Sequence, residues 1–142
     1  MSLRRYTYRR ALAVAVALAF AFGAVTLLAL EGREVVVVRT QDADGGKRAT
    51  RTWIADAEGA AWIEAANPER PFLHDLEREP ALVLDRQGTP LRCRASIAPN
   101  PGGHERIRAL LAAKYGWADC WIGLVADTRR SLAVRLDCAA RD

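Results

Sequence analysis

Histidine is scarce in this sequence, and the common catalytic motifs are missing from it. His74 and His104 are the only two histidines, and no G-x-S-x-G segment is present, so a serine triad has little support. No His-x-x-x-His pair or acidic cluster indicates a metal site. The glycines form no phosphate-binding loop of the P-loop or dinucleotide type. These absences argue against a protein nucleophile, a bound metal or a Gly-rich nucleotide loop.

Cysteine is also rare. Cys93, Cys120 and Cys138 contain no CxxC or CxxH spacing, which argues against a zinc site. In an oxidising compartment one disulfide could form, with three alternative pairings and one thiol left over. The other interpretation is that all three are small buried hydrophobic residues.

Acidic residues are absent from the first thirty positions, which makes this segment unlike the rest of the chain. It contains four arginines, Arg4, Arg5, Arg9 and Arg10, followed by an uninterrupted apolar run at 11–30. A spanning helix needs about 20 apolar residues at a rise of about 1.5 Å each. The run lacks the polar stripe of a surface helix, so it predicts a transmembrane helix.

Two interpretations compete for this segment. A cleaved signal peptide has a shorter apolar region, about 7–15 residues, and a small-x-small cleavage site, which Leu27 to Leu30 does not offer. An uncleaved anchor is therefore favoured, although the paired arginines also resemble a twin-arginine export signal. The positive-inside rule places the basic leader, residues 1–10, in the cytoplasm. We expect a single-pass protein of the cell membrane, with the transmembrane anchor at 11–30 and an extracytoplasmic domain at 31–142.

The net charge of +4 comes entirely from the leader, because residues 31–142 contain 17 basic and 17 acidic residues. A nucleic-acid-binding domain needs a basic face of its own. The charge therefore predicts membrane topology, and no nucleic-acid partner is expected.

Alternating and β-branched segments separated by turn signals dominate residues 31–142. Six strands are expected, at 34–40, 48–55, 60–65, 81–85, 91–98 and 131–137. A short helix around Phe72 ends before Pro80, and a longer one covers 104–115. Residues 117–124 fit either an extension of that helix or a loop. The predicted fold class is α+β, an antiparallel sheet or small barrel with its helices packed to one side.

Basic and aromatic residues form two candidate binding clusters. The first contains Arg39, Lys47, Arg48, Arg51 and Trp53, from the first two strands and the turn between them. Such arginines could bind a phosphate or carboxylate through paired hydrogen bonds, or they could face solvent and pair with nearby acids. The second contains Lys114, Tyr115, Trp117, Asp119 and Trp121. Its aromatic residues could wall a planar ligand, pack over a barrel end or lie at the lipid interface.

Short motifs follow one another in a defined order from Val35 to Leu136. They are VVRT, a DG turn, R-x-T-R-x-W, G-x-x-W, P-F-L-x-D-L, P-x-L-x-L-x-R-x-G and K-Y-G-W-A-D. This order resembles the flavin-binding split β-barrel superfamily, which includes pyridoxamine-phosphate-oxidase-like proteins and deazaflavin-dependent nitroreductases. The resemblance implies a six-stranded antiparallel split β-barrel with two helices, here preceded by the N-terminal transmembrane helix.

The resemblance also implies a homodimer with a cofactor, FMN or the deazaflavin F420, at the subunit interface. Basic residues of the second strand would approach the cofactor phosphate, and tryptophans would border its ring. The expected cofactor-binding residues are Lys47, Arg48, Thr50, Arg51, Trp53, Lys114 and Trp117.

Three functions fit these observations. The first is a membrane-anchored oxidoreductase whose flavin or deazaflavin reduces a small acceptor such as a quinone or a nitro compound. The second is a non-catalytic split-barrel module that binds a ligand or a partner. The third is a structural or interaction domain without a small ligand.

Overall fold

Residues 2–139 are described in the computed structural model, with side chains described from Tyr8 onward. The predicted contribution of Arg4 and Arg5 to the basic leader therefore lies outside the described side chains. The first helix, α1, covers Ser2–Glu31. Within the described residues, its segment Tyr8–Glu31 is the one helix long and apolar enough to cross a membrane, a test that a signal sequence also passes.

Most of α1 has no protein partner. Leu12 and Phe20 are exposed over 53% and 77% of their surface, whereas Ala29, near the end of the helix, is completely buried. The last turns of α1 are therefore part of the domain, and the preceding turns project from it.

Six antiparallel strands form a closed barrel. They are β1 (Val35–Gln41), β2 (Lys47–Ala57), β3 (Ala60–Ala65), β4 (Ala81–Arg86), β5 (Thr89–Ala98) and β6 (Leu132–Cys138). Their order around the barrel is β1, β2, β3, β6, β5, β4, and the pairing of β4 with β1 closes it. The six predicted strands and the α+β class are confirmed, with strand ends within two residues of the expected positions.

The apolar side chains that alternate along the strands point into the barrel and fill its interior. Val36 and Val38 of β1 are completely buried, while Val35 and Val37 face outward and are half-buried. The remaining large interior side chains are Ile54, Ile63, Phe72, Leu73, Leu76, Leu82, Leu84, Val134 and Leu136. Burial of apolar surface at about 25 cal/mol per Å² makes this interior the main source of the domain's stability.

Three shorter helices follow: α2 (Pro71–Arg78), α3 (Gly102–Tyr115) and α4 (Trp117–Val125). Helices α2 and α3 pack on the strands, and α4 packs on α1 and α3. The first two are the predicted helices. Residues 117–124, which fitted either a helix extension or a loop, belong to a separate helix. Gly116 adopts a φ of +54°, which interrupts the helical backbone between α3 and α4. Glycine reaches this region of φ without the steric cost that a side chain would add.

A second apolar cluster lies outside the barrel, between the sheet and the helices. Its buried members are Ala29, Ala55, Trp62, Ile107, Leu111, Tyr115, Ala118 and Ala133. The cluster draws residues from α1, α3, α4 and three strands. It therefore fixes the end of α1 to the barrel.

The fold joins two of the three cysteines and leaves the third free. Cys93 of β5 and Cys138 of β6 are directly opposite in the register of the two strands and form a disulfide. Cys120 on α4 is exposed and is the one free cysteine of the described residues.

Candidate functional site

One half of β2 has an open edge. Residues 47–53 of this strand pair with β1, but β3 pairs only with residues 54–57. No other described strand continues the ladder along residues 47–53. Backbone N–H and C=O groups need hydrogen-bonding partners, so an open edge is a natural place for a ligand or another chain.

A cleft of about 360 Å³ lies along this open edge. It falls within the usual size range of small-molecule sites, about 300–1,000 Å³. Its lining residues are Leu30, Glu31, Val35, Thr50, Arg51, Thr52, Trp53, Glu64, Ala66, Arg70, Phe72, Arg108, Ile122, Ala126 and Thr128. The wall thus combines hydroxyl, guanidinium and apolar groups from β2, the segment before α2, and both α1 and α4.

Two arginines give the cleft its accessible positive charge. The guanidinium of Arg51 forms a 2.6 Å ion pair with Glu31, and both side chains remain more than half exposed. Arg70 is exposed and forms no ion pair with a described residue. An exposed ion pair contributes little, about 0–1 kcal/mol, so Arg51 can exchange Glu31 for an anionic ligand at small cost.

A third arginine of the cleft wall has a structural role. Arg108 of α3 donates to both oxygens of Glu64 at 3.1 Å and to Asp119 of α4 at 2.5 Å. Burial opposes the charge on Arg108, but the two carboxylates outweigh it and raise the pKa of the guanidinium. Arg108 therefore connects β3, α3 and α4 and stiffens the cleft wall.

Trp53 is held in position from two sides. Its ring stacks on that of Tyr115 with centroids 4.6 Å apart, and its indole N–H donates to the carbonyl oxygen of Leu30 at 3.4 Å. The outward-facing side of β2 at this point is thus fixed by α3 and by the end of α1. The residue borders the cleft as a rigid apolar wall.

Lys47 and Arg48 line a different groove, beside β4 and β5. Arg48 donates through Nε to Asp75 of α2 at 2.8 Å, and the hydroxyl of Thr40 donates to the same carboxylate at 2.7 Å. Burial alone would raise the pKa of Asp75, but these hydrogen bonds outweigh it and lower the pKa below its ordinary value. Arg48 thereby connects β2 to α2.

Lys114 forms a hydrogen bond to the backbone and an ion pair with a glutamate. Its ammonium group donates to the carbonyl oxygen of Ile54 at 2.7 Å and forms an ion pair with Glu34. Glu34 also accepts from Arg86 at 2.6 Å, and this arginine binds both oxygens of Asp56. This network joins the residue before β1 to β2, β4 and α3.

Trp117 lies at the first position of α4 and is 52% exposed. The guanidinium carbon of Arg33 lies 5.4 Å from the centre of its ring, which is within cation–π range. Trp117 is not among the residues that line the cleft.

The structure thus separates the seven residues expected to bind a cofactor. Three of them, Thr50, Arg51 and Trp53, share the cleft at the open edge, and the other four lie elsewhere in the single chain. Sequence reasoning missed Arg70 as a cleft residue. Its signal was Pro71, which starts α2 and holds the preceding residue in an extended conformation beside the sheet.

Metal binding has no support in the described part of the chain, where no group of three or more His, Cys, Asp or Glu residues is arranged to hold an ion. The residues do fit an anionic aromatic ligand. Arg70, Arg51 and the hydroxyl of Thr50 offer donors for a phosphate, whereas the hydroxyl of Thr52 already donates to the carbonyl oxygen of Glu64 at 3.2 Å. Trp53 offers a flat apolar surface.

Comparison with known proteins bears on the fold. No family model and no curated protein matches the sequence. Solved structures do match it, including a conserved hypothetical protein from Mycobacterium tuberculosis with a TM-score of 0.57 and 17% identity over 76% of this chain and 74% of that one.

Two further matches have functional names. A proposed pyridoxamine 5′-phosphate oxidase from Listeria innocua aligns with a TM-score of 0.54 and 16% identity, over 80% of this chain and 90% of that one. An F420 reductase aligns with a TM-score of 0.53 and 16% identity, over 80% of this chain and 93% of that one. At such identities the likeness shows the fold, and it confirms the split β-barrel architecture that the order of motifs implied.

Proposed function

We propose that the barrel binds a flavin-type cofactor, FMN or F420, in the cleft at the open edge of β2, and that the protein is a membrane-anchored oxidoreductase. The observation that carries this proposal is the meeting of the unpaired half of β2 with Arg51 and Arg70 in one cleft. The shared fold with proteins named as a pyridoxamine 5′-phosphate oxidase and an F420 reductase supports it.

The phosphate end of the cofactor has the clearer set of partners. Arg70 lacks an ion-pair partner among the described residues, and Arg51 is only weakly held by Glu31. Thr50 adds a hydroxyl donor on the half of β2 that β3 does not pair. Charge-assisted hydrogen bonds to a phosphate contribute about 1.5–3 kcal/mol each, enough to select for an anionic cofactor.

The ring end would rest against Trp53, beside the apolar lining residues Leu30 and Ile122. When bound, a flavin or deazaflavin supplies the hydride or electron transfer, so the protein needs neither a nucleophile nor a metal. The protein's own part is to hold the ring, orient it and keep it from solvent.

A quinone is a better acceptor for this cleft than a water-soluble nitro compound. Leu30 and Glu31, where the apolar run of α1 ends, form part of the cleft wall. If α1 spans the membrane, its end marks the membrane surface, and an acceptor dissolved in lipid reaches the cleft without crossing water. The nitro-compound reductase activity named for part of the superfamily stays the second choice.

A homodimer is a second part of the proposal, on residues that do not line the cleft. This arrangement differs from the cofactor at the subunit interface that the resemblance implies. The outward-facing side of β1 and β4 presents half-buried Val37 and Val83 to solvent, next to the exposed ion pair of Arg39 with Asp85. A second copy packed on this face would cover the valines. Chemical cross-linking of the detergent-solubilised protein, with size measured by light scattering, tests this part independently of the cofactor.

The absorption spectrum of the purified full-length protein is the first test. A band near about 450 nm indicates a flavin, and one near about 420 nm a deazaflavin. Protein purified without cofactor is then titrated with FMN and with F420. Colourless protein that takes up neither compound overturns the proposal.

The arginines identify which groove is used. Arg70→Gln removes a charged donor and should weaken cofactor binding by about 1.5–3 kcal/mol, or roughly 10- to 150-fold in Kd. Arg51→Ala should act in the same direction. Lys47→Gln is the matched control, because it removes a cation from the other groove. Equal loss of affinity in Lys47→Gln and Arg70→Gln would contradict the placement.

A specific observation favours a second candidate, a module that binds the ligand without turnover. The described lining of the cleft contains no His, Cys, Lys or Tyr that could transfer a proton. Its two carboxylates, Glu31 and Glu64, are each paired with an arginine. Consumption of NADPH or of reduced F420 by the loaded protein distinguishes the two. Binding without consumption, across quinone and nitro acceptors, supports the module.

A further inference from the structure

Helix α4 carries an apolar stripe on its outer side. Trp117, Cys120, Trp121 and Leu124 follow the i, i+3, i+4, i+7 spacing of one helix face. Trp117, Cys120 and Leu124 are exposed, the last over 76% of its surface. Helices on the surface of a soluble domain show the opposite pattern, with charged residues outward.

The one charged residue of α4 faces inward. Asp119 is buried, with 5% of its surface exposed, and its carboxylate accepts a hydrogen bond from Arg108. The outer face of α4 therefore carries no charge at all. An exposed apolar patch of this kind needs a cover.

The contacts of α4 with α1 indicate what lies against this apolar patch. The ring of Trp121 lies 5.4 Å from that of Phe22, and its indole N–H donates to the hydroxyl of Thr26 at 3.1 Å. Both contacts fall inside the apolar run, five and nine residues before Glu31. At about 1.5 Å per residue these contacts lie roughly 6 to 12 Å from Leu30, the last residue of the run.

From these contacts we infer that α4 lies in the interfacial layer of the lipid bilayer, with the exposed residues of its stripe, Trp117, Cys120 and Leu124, toward the lipid. The inference rests on the proposed membrane anchor. Because α4 is packed on turns of α1 that lie within the span, α4 cannot be in water while those turns are in lipid. The opposite side of the same turns is also apolar and exposed, with Leu27 and Leu28 at 63% and 62%.

The surrounding residues fit this position. Interfacial helices lie about 5–10 Å into the boundary between headgroups and acyl chains, and tryptophan is enriched at that depth. Arg33 follows the end of α1 and lies over Trp117, where its guanidinium can reach lipid phosphates. The barrel is thus held against the membrane by two helices, and the cleft beside Leu30 and Ile122 opens at the bilayer surface.

The native chain offers a single labelling site for a test. Cys93 and Cys138 are joined, which leaves Cys120, in the stripe itself, as the reactive thiol. We would attach an environment-sensitive NBD fluorophore to Cys120 of the full-length protein in vesicles of phosphatidylcholine with a minor share of phosphatidylglycerol. The matched control is Cys120→Ser with Ala43→Cys, because Ala43 lies in the exposed β1–β2 turn at the far end of β1, about 20 Å from α1.

Lipids carrying a nitroxide on the acyl chain should remove most of the emission at Cys120 and little at the control site. Aqueous iodide should do the reverse. A second variant, Leu124→Asp, introduces a charge into the stripe without removing a packed core residue, and it should shift quenching at Cys120 from lipid to iodide. Leu124→Ala is its control.

Failure of the anchor is distinguishable from failure of this inference. Release of the protein by alkaline carbonate overturns the anchor and the inference together. Retention after carbonate, with iodide quenching at Cys120, overturns only the position of α4. Protection from both quenchers, with cross-linking of Cys120 to Cys120, assigns the stripe to a second copy of the chain and also overturns the inference.

Discussion

Trp53 of β2 and Tyr115 of α3 stack face to face, with ring centroids 4.6 Å apart and an angle of 20° between their planes. This contact joins the open half of β2 to the helical layer outside the barrel. The phenol of Tyr115 reaches past the indole to the backbone of Ile54, at the point where β2 begins to pair with β3. The pair therefore stabilises the boundary between the paired and the open parts of the strand.

Removing the Tyr115 hydroxyl should destabilise the domain without disturbing the stacking. The phenol oxygen accepts from the N–H of Ile54 at 3.1 Å and can donate to either of two carbonyl oxygens, those of Ile54 and Glu34. In Tyr115→Phe a buried donor loses its partner, which costs about 1–3 kcal/mol. Thermal unfolding in detergent micelles measures the loss. Tyr8→Phe, at an exposed position, is the control, and an unchanged Tm for Tyr115→Phe would show that the hydrogen bonds contribute nothing.

Thiol counting should yield one reactive cysteine per unfolded chain before reduction and three after it, because the chain has three cysteines and two are joined. Cys120→Ser should lower the first count to zero. The disulfide closes a segment with a sequence separation of 45, so Cys93→Ser with Cys138→Ser should cost about 4 kcal/mol by the loop-entropy relation. Three reactive thiols without reduction would exclude the bond.

The strand pattern and the order of motifs carried enough information to predict the barrel. The four valines at 35–38 and the alternation in β2 and β6 are local signals, and the structure has a strand at each of these positions. The helix after Gly116 was not decided, since its outward face is apolar and its one acid is buried, which reverses the usual surface pattern. Lipid contact is the physical reason we propose for that reversal.

The candidate site was predicted less well, because it depends on tertiary pairing. Neighbouring residues of β2 separate into two grooves: Arg48 is bound to Asp75, while Arg51 reaches the end of α1. Strand alternation cannot reveal where β3 stops pairing, and that point creates the open edge. Pro71 signals the extended backbone of Arg70, but the contact of Arg70 with the cleft depends on where α2 packs against the barrel.

Acid should destabilise the protein through the Arg86 network. Hydrogen bonds from Arg86 lower the pKa of both Glu34 and Asp56. A carboxyl with a lowered pKa stabilises the folded state above its unfolded pKa, about 4, and this contribution is lost as the pH falls further. The free energy of unfolding should therefore fall between about pH 5 and pH 3.

Arg86→Met tests the assignment of that pH dependence. The variant should be less stable at neutral pH, and its stability should fall less steeply in acid than that of the wild type, because the two carboxyls titrate closer to their ordinary values. Arg39→Met is the control: its ion pair with Asp85 is longer and exposed, so we expect a change of about 0.5 kcal/mol or less. An acid profile for Arg86→Met parallel to the wild type would assign the pH dependence to other groups.

Arg48 and Arg70 should separate stability from cofactor binding. Arg48 and Thr40 both donate hydrogen bonds to the carboxylate of Asp75, and only 5% of the Asp75 side chain is exposed. Arg48→Gln should therefore lower the free energy of unfolding by about 1–3 kcal/mol, because a buried charge loses a partner, and should leave the affinity for FMN or F420 unchanged. Arg70→Gln should weaken cofactor binding and leave the free energy of unfolding unchanged, because its exposed guanidinium has no ion-pair partner among the described residues to lose.

Isothermal titration and thermal unfolding of the same two preparations distinguish these roles. Asp75→Asn adds a check, because it removes the charge that Arg48 meets and should reproduce the lower stability without a change in affinity. If Arg48→Gln weakens cofactor binding as strongly as Arg70→Gln while its Tm is unchanged, the phosphate must be bound in the groove of Lys47 and Arg48.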